Sequence, residues 1–309
     1  MKNISKAKFI ITGGAGQLAR AFCKMLDRAN ADYIALDIDK LDITNIDALS
    51  KVCKEYKPDF LINCAAYNNV DAAESDFETA MKVNFTGPKN IATVSVELKF
   101  KAIHFSTDYV FGGREQYIPF REQDETSPLN KYGISKLKGE QIFLEISPKN
   151  LVFRVSWLYG EGHQNFIYKL LQWIETRNEI LIANDEISVP TSTYFVAKNV
   201  LEVLNANGLF HLVPDGYVSR YDYAKFVLNK LKKDAQLKPV SAELTYGLER
   251  IAMYLQDKDS FWELKWNDNL TYGDILLDSE KQWSEYNFEV ANIEMLKDLF
   301  EKYESEFHA

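Results

Sequence analysis

The feature that most constrains the fold is a short apolar run that leads directly into a glycine-rich turn near the start of the chain. Lys8–Thr12 reads as a buried strand, and the sequence GGAGQLA follows it from Gly13 to Ala19. Gly13 and Gly16 let the backbone turn tightly and approach a pyrophosphate, while the small Ala19 lets a helix pack close to the strand. The N-terminus of that helix favours an anionic group. The pattern predicts a strand, a phosphate-binding turn and a helix.

A second strand supports the same interpretation. Tyr33–Asp37 follows the predicted helix, and Asp37 lies about 20 residues after the turn, where an acidic side chain binds a ribose hydroxyl of an adenine dinucleotide. The alternative is an ordinary glycine turn with a solvated aspartate, which this spacing disfavours. A carboxylate repels a 2′-phosphate, so the expected cofactor is NADH or NADPH, with NADH slightly favoured. Arg20 and Lys40 argue the other way, because either could swing toward a phosphate.

Helices and strands continue to alternate through the first half of the chain. The segments with helical spacing or buried-strand character are Ile46–Tyr56 (helix), Phe60–Cys64 (strand), Phe77–Phe100 (helix), Lys101–Ser106 (strand) and Leu151–Val155 (strand). This alternation predicts an α/β fold, a Rossmann-like doubly wound parallel sheet with a smaller C-terminal substrate-binding lobe.

The regular alternation of predicted helices and strands ends after the strand that finishes at residue 155. We assign residues 1–155, plus returning elements at about 193–213, to the dinucleotide-binding domain. The remainder of residues 156–309 is assigned to the substrate-binding lobe. From Pro239 the sequence is rich in aromatic and acidic residues, and its pattern does not define a topology.

Polar residues follow two of the predicted strands. Asn68 lies in a polar loop after the strand at Phe60–Cys64, and Thr107 leaves the end of the strand at Lys101–Ser106. An open α/β sheet binds ligands at the carboxyl ends of its strands, so Thr107 should reach the same edge as the glycine turn. By itself, a threonine at a strand end is more often a turn or capping residue.

Tyr132 and Lys136 lie at the start of a predicted helix that Asn130 can cap. A spacing of four places the two side chains one turn apart on the same side of the helix. A nearby cation favours the phenolate and lowers the pKa of a tyrosine from about 10 toward the working range of an acid or base. A solvated contact between the two side chains is the alternative for the pair alone. With the upstream motifs, the pair predicts proton-transfer chemistry.

Composition excludes several functional classes. The 309 residues carry a net charge of −9, which argues against a nucleic-acid partner. No apolar run reaches the ~20 residues of a membrane span, and none near the start is long enough for a signal peptide, so we expect a cytoplasmic protein without a membrane partner. Cys23, Cys53 and Cys64 are odd in number and lack metal-type spacing, so we expect neither a disulfide framework nor a metal site.

Together these segments resemble the extended short-chain dehydrogenase/reductases, and within them the dTDP-4-dehydrorhamnose reductase group. The resemblance extends to about residue 230. The segments that carry it are Gly13–Leu18, Leu41–Thr44, Asn63–Asp71, Val83–Asn84, Ser106–Phe111, Pro128–Lys136, Arg154–Gly160, Asn165–Phe166, Asp185 with Pro190–Thr191, and Leu209–His211.

The resemblance implies an NAD(P)H-dependent reductase of a nucleotide-linked 4-keto-6-deoxyhexose, in deoxysugar and cell-surface polysaccharide biosynthesis. Tyr132 would donate the proton, Thr107 would help bind the developing alkoxide, and Lys136 would hold the nicotinamide ribose. The implied cofactor-binding residues are Gly13, Gly16, Gln17, Leu18, Asp37, Asp42, Ile43, Ala65, Ala66, Tyr67 and Lys136, with Asp42 and Ile43 at the adenine. The implied substrate-binding residues are Asn68, Val70, Thr107, Asp108, Tyr132 and Trp157.

Departures from the family pattern leave the substrate open. Asn68 stands where the family usually has threonine, Ser188 where it has glycine, and Thr271–Tyr272 near the position of an Arg-Pro pair. The segment at about 243–270 also looks longer than in the family. A changed sugar, a changed nucleotide or lost catalysis would each fit these differences.

Two other functions compete with the reductase. One is a non-catalytic nucleotide-binding regulatory subunit with the same fold, which the retention of Thr107, Tyr132 and Lys136 disfavours. The other is a sugar-nucleotide epimerase, although nothing in the sequence marks a tightly held, recycling cofactor. Dehydration is disfavoured because Tyr109 takes the place of the acidic residue that related dehydratases carry. The expected partner is a nucleotide sugar, and a homodimer stays open.

Overall fold

A computed structural model describes residues 4–113, 118–233 and 235–240, together with separate residues between 256 and 274. The chain divides into two compact units, residues 1–241 and 242–309. The strands are β1 Lys8–Thr12, β2 Asp32–Leu36, β3 Phe60–Asn63, β4 Lys101–Thr107, β5 Leu151–Val155, β6 Leu158–Tyr159, β7 Glu179–Ala183, β8 Ile187–Ser188, β9 Thr191–Ser192, β10 Gly208–His211, β11 Val218–Ser219 and β12 Gln236–Val240. The helices are α1 Gln17–Arg28, α2 Ile46–Tyr56, α3 Val70–Ser75, α4 Phe77–Met81, α5 Gly87–Leu98, α6 Lys131–Ile146, α7 Phe166–Thr176, α8 Thr193–Glu202 and α9 Arg220–Leu231.

The central sheet lies in the unit formed by residues 1–241. Within the described residues it has six strands in the order β10-β5-β4-β3-β1-β2. All neighbouring strands run parallel. The order reverses at β1, because the chain first moves outward to β2 and then returns to β3 on the other side. The predicted fold class is confirmed, and the crevice at this reversal is where such sheets bind ligands.

The sheet is covered on both faces. Side chains alternate along β1, so Phe9 and Ile11 enter one buried cluster and Ile10 enters the other. The first cluster includes apolar residues of α1 and α8, and the second includes residues of α2, α5 and α6. A strand that is buried on both faces reads as a continuous apolar run, which explains why β1 was recognisable in the sequence.

The returning elements that we expected at about 193–213 correspond to α8, which packs against α1, and β10, which joins the sheet beside β5. A third apolar cluster contains residues of α7, β7 and α9, among them Leu170, Ile180 and Val227. It lies within the unit of residues 1–241, together with β12, which pairs with β7. The assignment of the remainder of residues 156–309 to a substrate-binding lobe stays a prediction.

The single helix predicted over Phe77–Phe100 is interrupted. A π-helical turn at Lys82–Thr86 separates α4 from α5. Pro88 has no backbone N–H to continue the regular ladder, and Gly139 of α6 packs against the Asn84 carbonyl so closely that a Cβ atom there would lie only 1.9 Å from it. The proline and the close packing of α6 together account for this break. Such turns occur frequently at functional sites.

None of the helices among the described residues is long and apolar enough to cross a membrane. The three cysteines are free thiols. In the part of the chain that the structure describes, no group of three or more His, Cys, Asp or Glu side chains is arranged to hold a metal ion.

Candidate active site at the strand ends

The glycine turn occupies the reversal point of the sheet. Gly13 has a φ of +64°, and a Cβ atom there would lie 2.7 Å from the Ala65 nitrogen, so only glycine fits. Gly16 donates its N–H to the Gly13 carbonyl at 2.9 Å and precedes α1. The turn thus keeps its backbone free of side chains at the N-terminus of a 12-residue helix. This arrangement fits the pyrophosphate of a dinucleotide.

Asp37 lies beside this turn. The Gly14 N–H donates to the Leu36 carbonyl at 3.1 Å, which attaches the end of β2 to the glycine turn. Asp37 is the next residue and is partly exposed, and its own carbonyl accepts from the N–H groups of Lys40 and Leu41. Its position agrees with a ribose contact, which stays a prediction.

The other residues expected near the cofactor differ in their accessibility. Asp42 is partly exposed and accepts the Thr44 N–H at 2.8 Å. Ile43 is buried against Gly87 of α5, so its side chain belongs to the core. Leu18 is also a core residue. Gln17 donates its side-chain amide to the Leu158 carbonyl at 3.2 Å, which ties the start of α1 to β6.

A buried asparagine, Asn84, fixes the loop after β3. Its side chain accepts the Tyr67 N–H and donates to the Tyr67 carbonyl, each at 2.9 Å. It also donates to the Ser135 hydroxyl at 2.9 Å, and Ser135 lies between Tyr132 and Lys136 on α6. The predicted cofactor loop at Ala65, Ala66 and Tyr67 is therefore attached to the helix that carries the proton-transfer groups. Asn84 belongs to the segments that carry the family resemblance, but the sequence pattern alone does not place it at the site.

Thr107 and Tyr132 meet at the carboxyl end of β4. Thr107 is buried, and its hydroxyl donates to Asp108 at 3.1 Å. Asn130 caps α6 as predicted, accepting the Gly133 N–H at 2.7 Å, which sets Tyr132 in the first turn. Burial raises the pKa of Tyr132 well above its usual value, the Asp108 carboxylate raises it further, and a hydrogen bond between the Tyr132 and Thr107 side chains lowers it in part.

The expectation that a cation would lower the pKa of Tyr132 is therefore wrong for this structure. Lys136 is 3% exposed, and its ammonium group donates to the Phe105 carbonyl at 2.5 Å. Burial lowers the pKa of Lys136 to about 8, while the nearby Glu140 carboxylate opposes this change. Desolvation of the phenol is the largest cause of its raised pKa, so Tyr132 holds its proton at neutral pH and can act as an acid.

Asp108 is held by a chain of hydroxyl groups. Its second carboxylate oxygen accepts the Ser188 hydroxyl at 2.6 Å, and the Ser156 and Ser188 hydroxyls lie 2.5 Å apart. Both oxygens of Asp108 thus have partners within the protein, and the serine that departs from the family pattern supplies one of them. Asp108 consequently orients Thr107 whether or not it also contacts a substrate.

The other residues expected at the substrate lie on separate segments. Asn68 is exposed, and Val70 begins α3, whose cap is Asn69. Trp157 follows β5 with a φ of +35°, an uncommon conformation for a bulky residue. Strain of this kind often marks a functional position. The Trp157 ring lies beneath the guanidinium group of Arg220, a residue that the sequence patterns did not single out.

Comparison with known proteins identifies the family. The model of the RmlD substrate binding domain matches residues 7–250. The chain belongs to this family. A dTDP-4-dehydrorhamnose reductase of Aggregatibacter actinomycetemcomitans is 35% identical over 71% of this chain and 77% of its own length. The spore coat polysaccharide biosynthesis protein SpsK of Bacillus subtilis is 31% identical over 78% of this chain and 84% of its own length. The resemblance stated from the sequence is confirmed.

Solved structures of RmlD relatives have the same fold. A dTDP-4-dehydrorhamnose reductase ortholog of Clostridium acetobutylicum superposes with a TM-score of 0.74 at 37% identity, covering 77% of this chain and 85% of that one. The dTDP-4-dehydrorhamnose reductase of Bacillus anthracis in complex with NADP has a TM-score of 0.74 at 33% identity. This match also covers 77% of this chain and 85% of the other. The likeness therefore extends over most of both chains.

The end of the chain has a different resemblance. A second family model, that of the glycyl-tRNA synthetase alpha subunit, matches residues 202–309 and overlaps the RmlD match over 202–250. Residues beyond 250 are thus matched by the synthetase model alone. This segment coincides closely with the second compact unit, residues 242–309.

Proposed function

We propose that this RmlD-family chain is an NAD(P)H-dependent reductase of a nucleotide-linked 4-keto-6-deoxyhexose. The observation that carries the proposal is the convergence of Thr107, Tyr132 and Lys136 at the end of β4, on the same sheet edge as the glycine turn. A purely structural protein has no need of three such groups at a cofactor crevice. Relatives of this chain are named dTDP-4-dehydrorhamnose reductase and dTDP-4-keto-6-deoxy-D-glucose reductase, which supports this substrate class.

The glycine turn and Lys136 are the groups that would hold the cofactor. A reduced nicotinamide bound by these groups would supply the hydride for the C4 carbonyl carbon of the sugar. Tyr132, protonated at neutral pH, gives its proton to the oxygen as the alkoxide develops. Thr107 donates a second hydrogen bond to the same oxygen after its hydroxyl turns away from Asp108. Lys136 is largely an ammonium group at neutral pH, so it stabilises the phenolate that remains.

For the cofactor we propose a modest preference for NADH. Asp37 lies beside the glycine turn, where its carboxylate accepts from a free ribose hydroxyl and repels a 2′-phosphate. We expect Asp37→Ser to weaken NADH binding and strengthen NADPH binding, as measured by fluorescence titration of each cofactor. Asp39→Ser, at an exposed acid two residues further on, is the matched control and should change neither. A clear preference of the unaltered protein for NADPH would refute the proposed role of Asp37 in repelling the 2′-phosphate.

Consumption of reduced nicotinamide in the presence of dTDP-4-keto-6-deoxyhexoses and other nucleotide 4-keto sugars tests the proposed function. A non-catalytic subunit would oxidise no cofactor with any sugar of this panel and would copurify with a stoichiometric partner. An epimerase would convert the sugar without net consumption of cofactor. The epimerase likeness is one of fold alone, since the UDP-glucose 4-epimerase of Thermus thermophilus has a TM-score of 0.68 at 15% identity.

A further inference from the structure

A fixed guanidinium group lies at the edge of the candidate site. Arg220 begins α9, directly after β11, and its guanidinium carbon lies 3.7 Å from the centroid of the Trp157 ring. It also lies 5.1 Å from the centroid of the Phe166 ring. The Arg220 side chain is only 18% exposed. Stacking on aromatic faces holds the plane of the guanidinium group and leaves its N–H edge for an anion.

The anion at this edge is a carboxylate of the chain itself. Arg220 Nε and Nη2 each lie 3.1 Å from Glu186 Oε2, and the Arg220 backbone N–H donates to the Glu186 carbonyl at 2.9 Å. The Glu186 side chain is 57% exposed, whereas the arginine side chain lies over the Trp157 ring and is largely buried. A largely solvated carboxylate is bound weakly and can move away at little cost. The pair therefore combines a fixed cation with a displaceable anion.

The cation lies close to the reacting groups. Burial raises the pKa of Tyr109, the Asp108 and Glu186 carboxylates raise it further, and Arg220 opposes them. The Tyr109 ring packs edge-on against Tyr132, with 5.6 Å between the ring centroids. β8, whose Ser188 donates to Asp108 at 2.6 Å, pairs with β11, and β11 directly precedes Arg220, so Arg220 begins at an element that is joined to the residue beside Thr107. Lys136 donates to the Phe105 carbonyl and is committed to the cofactor side, so it does not serve an anion at this position.

We propose that Arg220 binds the diphosphate of the nucleotide-sugar substrate and that Glu186 is the internal anion which this diphosphate displaces. The inference rests on the proposed function. A guanidinium group forms paired hydrogen bonds with phosphate oxygens, and these are stronger than bonds between neutral groups. In this arrangement Trp157 and Phe166 position the cation, and Glu186 keeps it paired until the substrate arrives.

Calorimetric titration of the NADH-saturated protein with dTDP tests the proposal, because the diphosphate site of the cofactor is then filled. Arg220→Gln should weaken dTDP binding by about 10- to 100-fold, since charge-assisted hydrogen bonds are lost. Glu186→Gln should strengthen it by about two- to fivefold, since the competing charge is removed. Arg177→Gln is the matched control, because Arg177 also lies over a tryptophan ring, that of Trp173, and should leave dTDP binding unchanged.

The opposite signs of the two changes separate ligand binding from a structural role. If Glu186→Gln weakens dTDP binding as Arg220→Gln does, the pair is a structural link and the proposal is wrong. Equal dTDP binding by the unaltered protein and Arg220→Gln, or no binding by the unaltered protein, also overturns it. Arg220→Lys should restore part of the affinity. Loss of sugar reduction with intact, Arg220-dependent dTDP binding would instead count against the proposed reaction alone.

Discussion

Replacement of Tyr132 by phenylalanine is expected to lower kcat for the best 4-keto sugar by about 10²- to 10⁴-fold, the usual effect of losing a general acid. The ring keeps its edge-on contact with Tyr109, so the local packing is preserved while the proton donor is lost. Because Lys136 and the glycine turn are untouched, the dissociation constant of the reduced nicotinamide should stay nearly constant. Stopped-flow rates and equilibrium titration measure the two quantities separately.

Tyr56→Phe provides the control for loss of a hydroxyl group. The Tyr56 hydroxyl donates to Asp32 at 2.8 Å, at the opposite end of the sheet from the candidate site. This variant should turn over at the normal rate. Near-normal turnover of Tyr132→Phe would show that the proton comes from another group.

Replacement of Arg154 by methionine is expected to lower the free energy of unfolding by about 3–5 kcal/mol. Arg154 in β5 forms a two-pronged ion pair with Glu140 of α6, in which Nε lies 3.0 Å from Oε2 and Nη2 contacts Oε1. The two side chains are 5% and 4% exposed. The variant leaves the buried Glu140 carboxylate without its partner. The cost of keeping this unpaired charge away from water is the main part of the expected loss. Urea unfolding followed by near-ultraviolet circular dichroism measures the loss.

A double variant tests the reason for this loss. In Glu140→Leu/Arg154→Met the buried carboxylate is replaced by an apolar group, so most of the stability should return. If Arg154→Met lowers the free energy of unfolding by less than about 1 kcal/mol, the Arg154–Glu140 pair contributes no more than an ordinary exposed ion pair. That result would contradict the large effect expected for a buried pair. Failure of the double variant to recover stability would show that the uncompensated charge is not the cause.

Local signals in the sequence were sufficient for much of the fold. The helix predicted at Ile46–Tyr56 has the same bounds in the structure, and Asn130 caps α6 as expected. Both depend on interactions between residues that are near one another in the chain. The parallel sheet followed from apolar runs separated by helices, since such strands must be buried on both faces. The position of Gly13 at the sheet reversal followed from the same reasoning.

The features that the sequence did not predict depend on contacts between distant segments. The π-helical turn at Lys82–Thr86 forms where α6 packs against the Asn84 carbonyl, and the nearby Pro88 does not by itself reveal this contact. The role proposed for Arg220 depends on its contacts with Trp157 and Glu186, which are distant from it in the sequence. The direction of the pKa change at Tyr132 depends on burial and on Asp108, which the spacing of Tyr132 and Lys136 does not reveal.

The departures near the end of the chain have a partial explanation. The segment at about 243–270 looked longer than in the RmlD relatives, and this region is where the synthetase model continues beyond the RmlD match. Thr271 is described, with its hydroxyl donating to Asp274 at 2.7 Å, whereas Tyr272 and most of the surrounding segment lie outside the described residues. The contribution of this region to substrate binding stays a prediction of the sequence.

We propose hydride transfer to the sugar at the site formed by Thr107, Tyr132 and Lys136. The most direct measurement incubates the protein with a dTDP-4-keto-6-deoxyhexose and reduced nicotinamide deuterated on the transferred position, followed by NMR of the sugar product. We predict one deuterium at C4 of the hexose and stoichiometric consumption of the cofactor, with both greatly slowed by Tyr132→Phe. A sugar product without deuterium at C4, or an unchanged sugar with unchanged cofactor across the panel, would contradict the account.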